Sequence, residues 1–295
     1  MRSILAALAL GIGSASAAAH GPPPLDQAAW ISAKKFVQLP NGIRMGYVEL
    51  GNPKGEPLLL LHGYTDSSRS WTLAAPYLTN YRLLIPDQRG HGSTSAPECC
   101  YAISDFAYDA RLFLDALGVS RAGVAGHSMG SMVAIEMAAR YPERVTRIAL
   151  LGSTGLAPVR RGDWLYDNAT ALKAPLDAKS AFMREWHPAN QPTPIDKSFS
   201  DAAMTEILVT PLHVWHGVVR ELEEVPSGRH AAYVMAPVLI LSGGKDPLFP
   251  PEHHASLIKA FPRAETHVYP SFGHNFLWED PADVARRLAG FFASQ

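Results

Sequence analysis

The chain has 295 residues, 47% of them hydrophobic and 18% charged, with 26 basic against 27 acidic side chains and a net charge of −1. This composition can bury a sizeable core and excludes wholesale disorder. The balanced charge, without a long run of one sign, gives no footing for nucleic-acid binding and little for attraction to a charged membrane surface. The first residues read as a leader. Arg2 is a short positive region, Ile4 to Ile12 an apolar stretch, and Ala15-Ser16-Ala17 or Ala17-Ala18-Ala19 a small-residue cleavage site. The apolar stretch is too short for a membrane-spanning helix, which needs about 20 residues. Residues 1–19 are therefore expected to be a signal peptide and the mature protein to be exported, either periplasmic or secreted. Gly21 to Pro24 then reads as a flexible lead-in.

Lys35–Leu39 and Ile43–Leu50 flank Asn41-Gly42, a strong hairpin signal. Leu58–Leu61 and Arg82–Ile85 are short apolar runs of the kind found in strands buried on both faces. The only two cysteines, Cys99 and Cys100, are adjacent. Neighbouring Cα atoms are about 3.8 Å apart, below the roughly 4.4–6.8 Å of ordinary disulfides. Two packed thiols on a loop are expected, with a strained vicinal bridge as the alternative. Ser104 can cap a helix whose apolar face is Phe106, Ala110, Phe113, Leu114 and Leu117, ended by Gly118. Ala122–Gly126 reads as a strand, Met129–Arg140 as the helix after it, and Val145–Leu151 as the next strand.

From about Thr154 to Ala236 the spacing turns irregular and rich in Pro and Trp. Strand signals return at Val238–Ser242 and Thr266–Tyr269, with helical residues around Glu252–Ala260 between them. Asp280-Pro281 opens a last helix by N-cap and first-turn logic, with Val284, Leu288 and Phe291 on one face. Alternating strands and helices predict an α/β fold, a mostly parallel sheet with helices on both faces and an antiparallel edge from the hairpin. Residues 155–236 read as an inserted helical cap between core segments 20–154 and 237–295.

Gly126-His127-Ser128-Met129-Gly130 matches Gly-x-Ser-x-Gly between an apolar strand and a helix, the setting that gives the motif its meaning. The tight turn demands small neighbours two residues to either side of the serine. It would raise the Ser128 hydroxyl above the sheet and set the Met129 N–H at a helix N-terminus, facing a developing negative oxygen.

On these residues the chain resembles the α/β-hydrolase superfamily, in particular its cap-bearing serine hydrolases of the esterase and lipase kind. The resemblance spans essentially all of the mature chain, the cap only weakly. It implies a nucleophile, acid and base in the order Ser, Asp, His. Asp246 in Gly243-Gly244-Lys245-Asp246-Pro247 follows a late strand, and His274 in Phe272-Gly273-His274-Asn275 follows the last. Ser128, His274 and Asp246 are thus the expected triad. The family's loop after its third strand carries His-Gly, here His62-Gly63-Tyr64. The resemblance assigns the second oxyanion N–H to Tyr64, beside Met129, and leaves His62 a packing role. Asp87-Gln88-Arg89-Gly90-His91-Gly92-Ser93 resembles a further family loop, expected to brace the site.

Ser128 argues against the relatives that open epoxides or displace halide, which use aspartate in the elbow. No cofactor is required by a serine triad. There is no His-Glu-x-x-His, no Cys/His cluster of metal spacing and no Gly-x-Gly-x-x-Gly after a strand, so no metal or nucleotide is expected. His253-His254 reads as a solvated helix face. Within the cap, Trp186 and Trp215 are the candidates for the substrate pocket. The expected substrate is a small to medium ester or lactone, with water completing the hydrolysis. C–C bond hydrolysis, peroxide-dependent activity and a slow, receptor-like ligand binder are the alternatives on the same triad.

Overall fold

The structure, a computed structural model, describes residues 25–225 and 227–293, so the expected leader at 1–19 lies outside the described residues. A short helix, α1 (Ala29–Ser32), leads into β1 (Lys35–Gln38) and β2 (Arg44–Gly51). These pair antiparallel around Asn41-Gly42, where Gly42 takes φ 89°, a region open to glycine at no steric cost. β3 (Pro57–Leu61), β4 (Arg82–Pro86), β5 (Ala122–His127), β6 (Val145–Leu151), β7 (Val238–Gly243) and β8 (Glu265–Tyr269) complete the sheet. Among the described residues its order is β1-β2-β4-β3-β5-β6-β7-β8. β2 meets β4 antiparallel and all later neighbours are parallel.

The apolar runs are explained by burial on both faces. Leu59, Leu61, Val124, Ile148, Leu150 and Ile240 pack to one side, against α2 (Ile103–Ala116) and α3 (Met129–Arg140). Their alternate neighbours Leu58, Leu60, Ala125, Ala149, Leu239 and Leu241 pack to the other, which the C-terminal helix covers with Val284, Leu288 and Phe291. Side chains on successive strand residues point to opposite faces, so a strand covered twice has no polar alternation.

Between β6 and β7 lie α4 (Trp164–Ala171), α5 (Ala181–Glu185), α6 (Lys197–Val209), α7 (Leu212–Leu222) and α8 (Ser227–His230). After β7 come α9 (Pro251–Ala260), α10 (Phe276–Glu279) and α11 (Pro281–Ala293). Asp280 opens α11 by accepting the Asp283 N–H at 3.0 Å. None of the described helices is long and apolar enough to cross a membrane.

Two local expectations are corrected. The cap of α2 is Ala102, not Ser104; the chain is still extended at Ala102, and the Asp105 carboxylate reaches back to its N–H at 3.1 Å. Cys99 and Cys100 are joined in a disulfide and not held as separate thiols. The loop turns at Cys100 with φ 74°, and the two sulfurs meet there.

Candidate active site

The strand, turn and helix around Ser128 form one strained corner. Ser128 has φ 51°, a region costly for any side chain but glycine. A Cβ on Gly126 would lie 2.1 Å from the Gly130 carbonyl oxygen, and one on Gly130 would lie 2.5 Å from that of Leu61. Both glycines are therefore required by close backbone contact. The corner is tied down by Ser128 N–H donating to the Leu151 carbonyl at 2.8 Å and by Ser131 N–H donating to the Ser128 carbonyl at 2.9 Å. None of these bonds uses the Ser128 hydroxyl. Ser128 lines a cavity of about 1200 Å³, together with Tyr64, Met129 and His274.

Asp246 and His274 come from the loops that follow β7 and β8, adjacent parallel strands. His274 Nδ1 stands 2.7 Å from Asp246 Oδ2. Asp246 Oδ1 accepts the Leu248 and Phe249 N–H groups at 2.8 and 2.9 Å. Burial opposes the Asp246 charge, but the His274 contact and these N–H bonds outweigh it and hold the carboxyl below its usual range. His274 Nε2 is buried and has no hydrogen-bond partner among the described residues. Gly152, at the end of β6, makes room for the ring: a Cβ there would lie 3.2 Å from His274 Cε1. The edge of Phe249 closes another side, with ring centroids 5.2 Å apart.

The loop after β3 runs against Ser128. A Cβ on Gly63 would come within 3.2 Å of Ser128 Cβ. His62 fixes this loop. Its Nδ1 faces the Gly63 carbonyl at 2.8 Å, its Nε2 accepts the Gln88 N–H at 2.9 Å, and the Gln88 side chain donates to the His62 carbonyl at 2.7 Å. Complete burial pushes the His62 pKa down to about 3, so the ring is neutral and Nδ1 carries the proton. Tyr64 and Met129 follow directly on Gly63 and Ser128, and neither N–H donates to a protein acceptor among the described residues. Met129 opens α3, where an N–H has no intrahelical partner and suits an anion, and Tyr64 lies in the turn after β3.

Asp87 and Arg89 act as braces. Asp87 receives Lys34 Nζ at 2.6 Å and the N–H groups of Ser68 and Ser93 at 2.8 Å each. Arg89 forks onto Asp109 at 2.6 and 2.7 Å and donates to the Cys100 carbonyl at 2.6 Å.

The two tryptophans separate. Trp186 is on the cavity wall, half-buried, with Nε1 donating to Thr65 Oγ1 at 2.8 Å. Trp215 is not on the wall: it is wholly buried, edge-on to Tyr64 at 5.4 Å, and its carbonyl accepts the Tyr64 hydroxyl at 2.7 Å. Its part is to support the loop after β3 from beneath, because α7 turns the ring inward. His253 departs from the solvated-face expectation. It is half-buried, stacks on Phe249, meets Thr154 Oγ1 at 2.8 Å and lines the cavity, while His254 beside it is also half-buried. Asp66 was not anticipated. It lines the cavity next to Gly63, and only the folded contact reveals it. No cluster of three or more His, Cys, Asp or Glu side chains suited to a metal ion occurs among the described residues.

Residues 56–281 match the family model described as alpha/beta hydrolase fold. The chain is 29% identical over 249 residues to Lipase 1 of Psychrobacter immobilis, covering 81% of this chain and 78% of that protein. It is 26% identical over 269 residues to Lipase 3 of Moraxella sp. strain TA144, covering 87% and 84%. An esterase from Exiguobacterium antarcticum superposes with a TM-score of 0.78 over 88% of this chain and 99% of that one, a likeness of fold at 18% identity.

Proposed function

The chain belongs to the alpha/beta hydrolase fold family, and from that premise we propose that it is a serine hydrolase of carboxylic esters, working through an acyl-enzyme. The observation that carries the reading is that Ser128, at its positive-φ corner, and His274, paired with Asp246, line one cavity. The similarity to lipases along most of the chain supports it.

In this reading His274 Nε2 takes the hydroxyl proton as Ser128 Oγ attacks the ester carbonyl. Asp246 keeps the imidazole proton on Nδ1 and stabilises the imidazolium that results. The N–H groups of Tyr64 and Met129 receive the carbonyl oxygen as it becomes negative, a contribution of roughly 10²–10³ in rate per donor in serine hydrolases. The intermediate collapses, His274 returns the proton to the departing alkoxide, and the alcohol leaves. Water, deprotonated by His274, then releases the acid and restores Ser128.

Residues 155–236 are proposed as a cap that supplies one wall of the cavity through Trp186 and limits the acyl chain. Residues 1–19 are proposed as an export signal, so the enzyme would act outside the cytoplasm. A lactone would react in the same way, its alcohol remaining tethered. The test is hydrolysis of p-nitrophenyl esters from acetate to decanoate by the mature protein and by Ser128→Ala. Rapid turnover that the variant loses supports the proposal, and the chain-length profile sizes the cavity. Equal turnover by both proteins would overturn it.

A further inference from the structure

The carboxyl group of Asp66 shares the cavity with Ser128 and has no place in the steps above. Asp66 Oδ2 lies 3.1 Å from the point where a Cβ on Gly63 would stand, and Ser128 Cβ lies 3.2 Å from that point. His127 Nδ1 lies 3.3 Å from it, buried and without a hydrogen-bond partner among the described residues. His127 Nε2 is engaged with the His274 carbonyl at 3.2 Å. Two polar groups therefore flank the glycine that borders the nucleophile, on a cavity also walled by Met132, Ile207 and Leu222.

Asp66 is held within its own loop by the Ser70 hydroxyl and the Gly63 backbone, and His127 by its Nε2 on the His274 carbonyl, yet both also line the cavity. The cation nearest in sequence, Arg69, is taken up by Glu206 at 2.6 Å. The base His274 already has its carboxylate in Asp246. The groups that face Asp66 are His274 from the loop after β8, His127 from the end of β5, Glu206 from α6, the Ser70 hydroxyl and the Gly63 backbone. Burial, with Glu206 adding to it, raises the Asp66 carboxyl to about 7, against the opposing pull of Ser70, His274 and Gly63. Burial also holds His127 neutral, its pKa lowered to about 3.

We infer that Asp66, with His127 Nδ1 beside it, is a specificity-determining residue that hydrogen-bonds a hydroxyl or alkoxy oxygen carried within two bonds of the scissile carbonyl. The inference rests on the ester-hydrolase reading. It names hydroxy- and alkoxy-substituted esters as preferred over plain alkyl esters, and disfavours a carboxylate at that place. A site built to hydrogen-bond a substrate group discriminates strongly against the analogue that lacks it, because its own polar atoms are left unpaired. The neutral carboxyl donates and accepts, whereas the ionised one only accepts. A hydroxyl substituent can use both forms, and a methoxy oxygen only the neutral one.

The test uses the mature enzyme and pairs of esters matched in length. Phenyl glycolate is compared with phenyl propionate, and phenyl methoxyacetate with phenyl butyrate. Ratios of kcat/KM within one preparation cancel the fraction of folded protein, and comparing variants cancels each ester's intrinsic reactivity. At pH 5.5 the hydroxyl ratio and the methoxy ratio should both fall at least tenfold in Asp66→Leu. In the wild type the methoxy ratio should fall at least tenfold by pH 8.5 while the hydroxyl ratio holds. Asp66→Asn, which donates and accepts at every pH, should keep both ratios across the range, and this decides the matter if the leucine variant does not fold. Ratios that are the same in the wild type and both variants, with ordinary turnover of plain esters, overturn this inference alone. No turnover of any ester overturns it together with the proposed function.

Discussion

His274 Nδ1 and Asp246 Oδ2 are 2.7 Å apart, and the second oxygen of Asp246 is held by two backbone N–H groups of its own loop. The carboxylate is thus fixed before it meets the imidazole, and the imidazole is fixed with Nε2 unpartnered. Replacing Asp246 with Asn keeps the size of the side chain but allows the wrong tautomer of His274. The account predicts a loss in kcat of about 10⁴ for ester hydrolysis. Kinetics beside a circular dichroism spectrum would check it; a loss of less than tenfold with the fold intact would contradict the role.

The corner that carries Ser128 leaves no room for a side chain at position 130. A Cβ there would stand 2.5 Å from a main-chain oxygen of β3, which cannot move without shifting the sheet. Gly130→Ala should lower kcat/KM by more than 10² through displacement of Ser128 and of the Met129 N–H. The ester assay reads this directly, with the melting temperature as the control for folding.

Lys34 and Asp87 form a buried ion pair at 2.6 Å, with side chains 2% and 0% exposed. Removing the cation alone leaves a buried charge with only its two N–H partners. Lys34→Met should cost about 3–5 kcal/mol in denaturant unfolding. The double replacement with Asp87→Asn should recover part of that loss.

The Tyr64 hydroxyl ties the loop after β3 to the carbonyl of Trp215 in α7. Tyr64→Phe removes one neutral buried bond and should lower stability by about 0.5–1.5 kcal/mol. Thermal unfolding measures this, and an unchanged melting temperature would mean that the loop is held by other contacts.

Asp66 has its carboxyl raised to about 7 by burial, against about 3.9 in an unfolded chain. The folded state keeps the proton that the unfolded state gives up first. The stability from this group is complete below about pH 4 and lost as pH rises towards 7. Asp66→Asn should therefore raise the melting temperature at pH 8.5 and have little effect at pH 4.5. Equal effects at both would place the carboxyl in an ordinary, solvated range.

Some of this was legible in the sequence because the constraint is local. Gly126, Ser128 and Gly130 satisfy one backbone corner within five residues, and the strands read as apolar runs because each is covered on both faces. What could not be read depends on contacts between distant segments. The loop that carries Gly63 and Asp66 comes beside Ser128 only because β3 and β5 pair in register, Leu61 opposite Gly126, which brings their two following loops side by side. Trp186 and Trp215 look alike in an irregular stretch; the packing of α7 sends one ring beneath Tyr64 and leaves the other on the cavity wall. His253 could be taken for a solvated residue because nothing nearby in sequence announces Thr154 and Phe249 as its neighbours. The pairing of Cys99 with Cys100 turns on one left-handed residue.

The most direct test of the central claim is peptide-mapped labelling with a fluorophosphonate, which reacts only with an activated serine. The account predicts a single adduct on Ser128, with ester turnover lost in step with its formation, and labelling slowed severely in His274→Ala. An adduct on another residue, or full ester turnover after Ser128 is blocked, would contradict it.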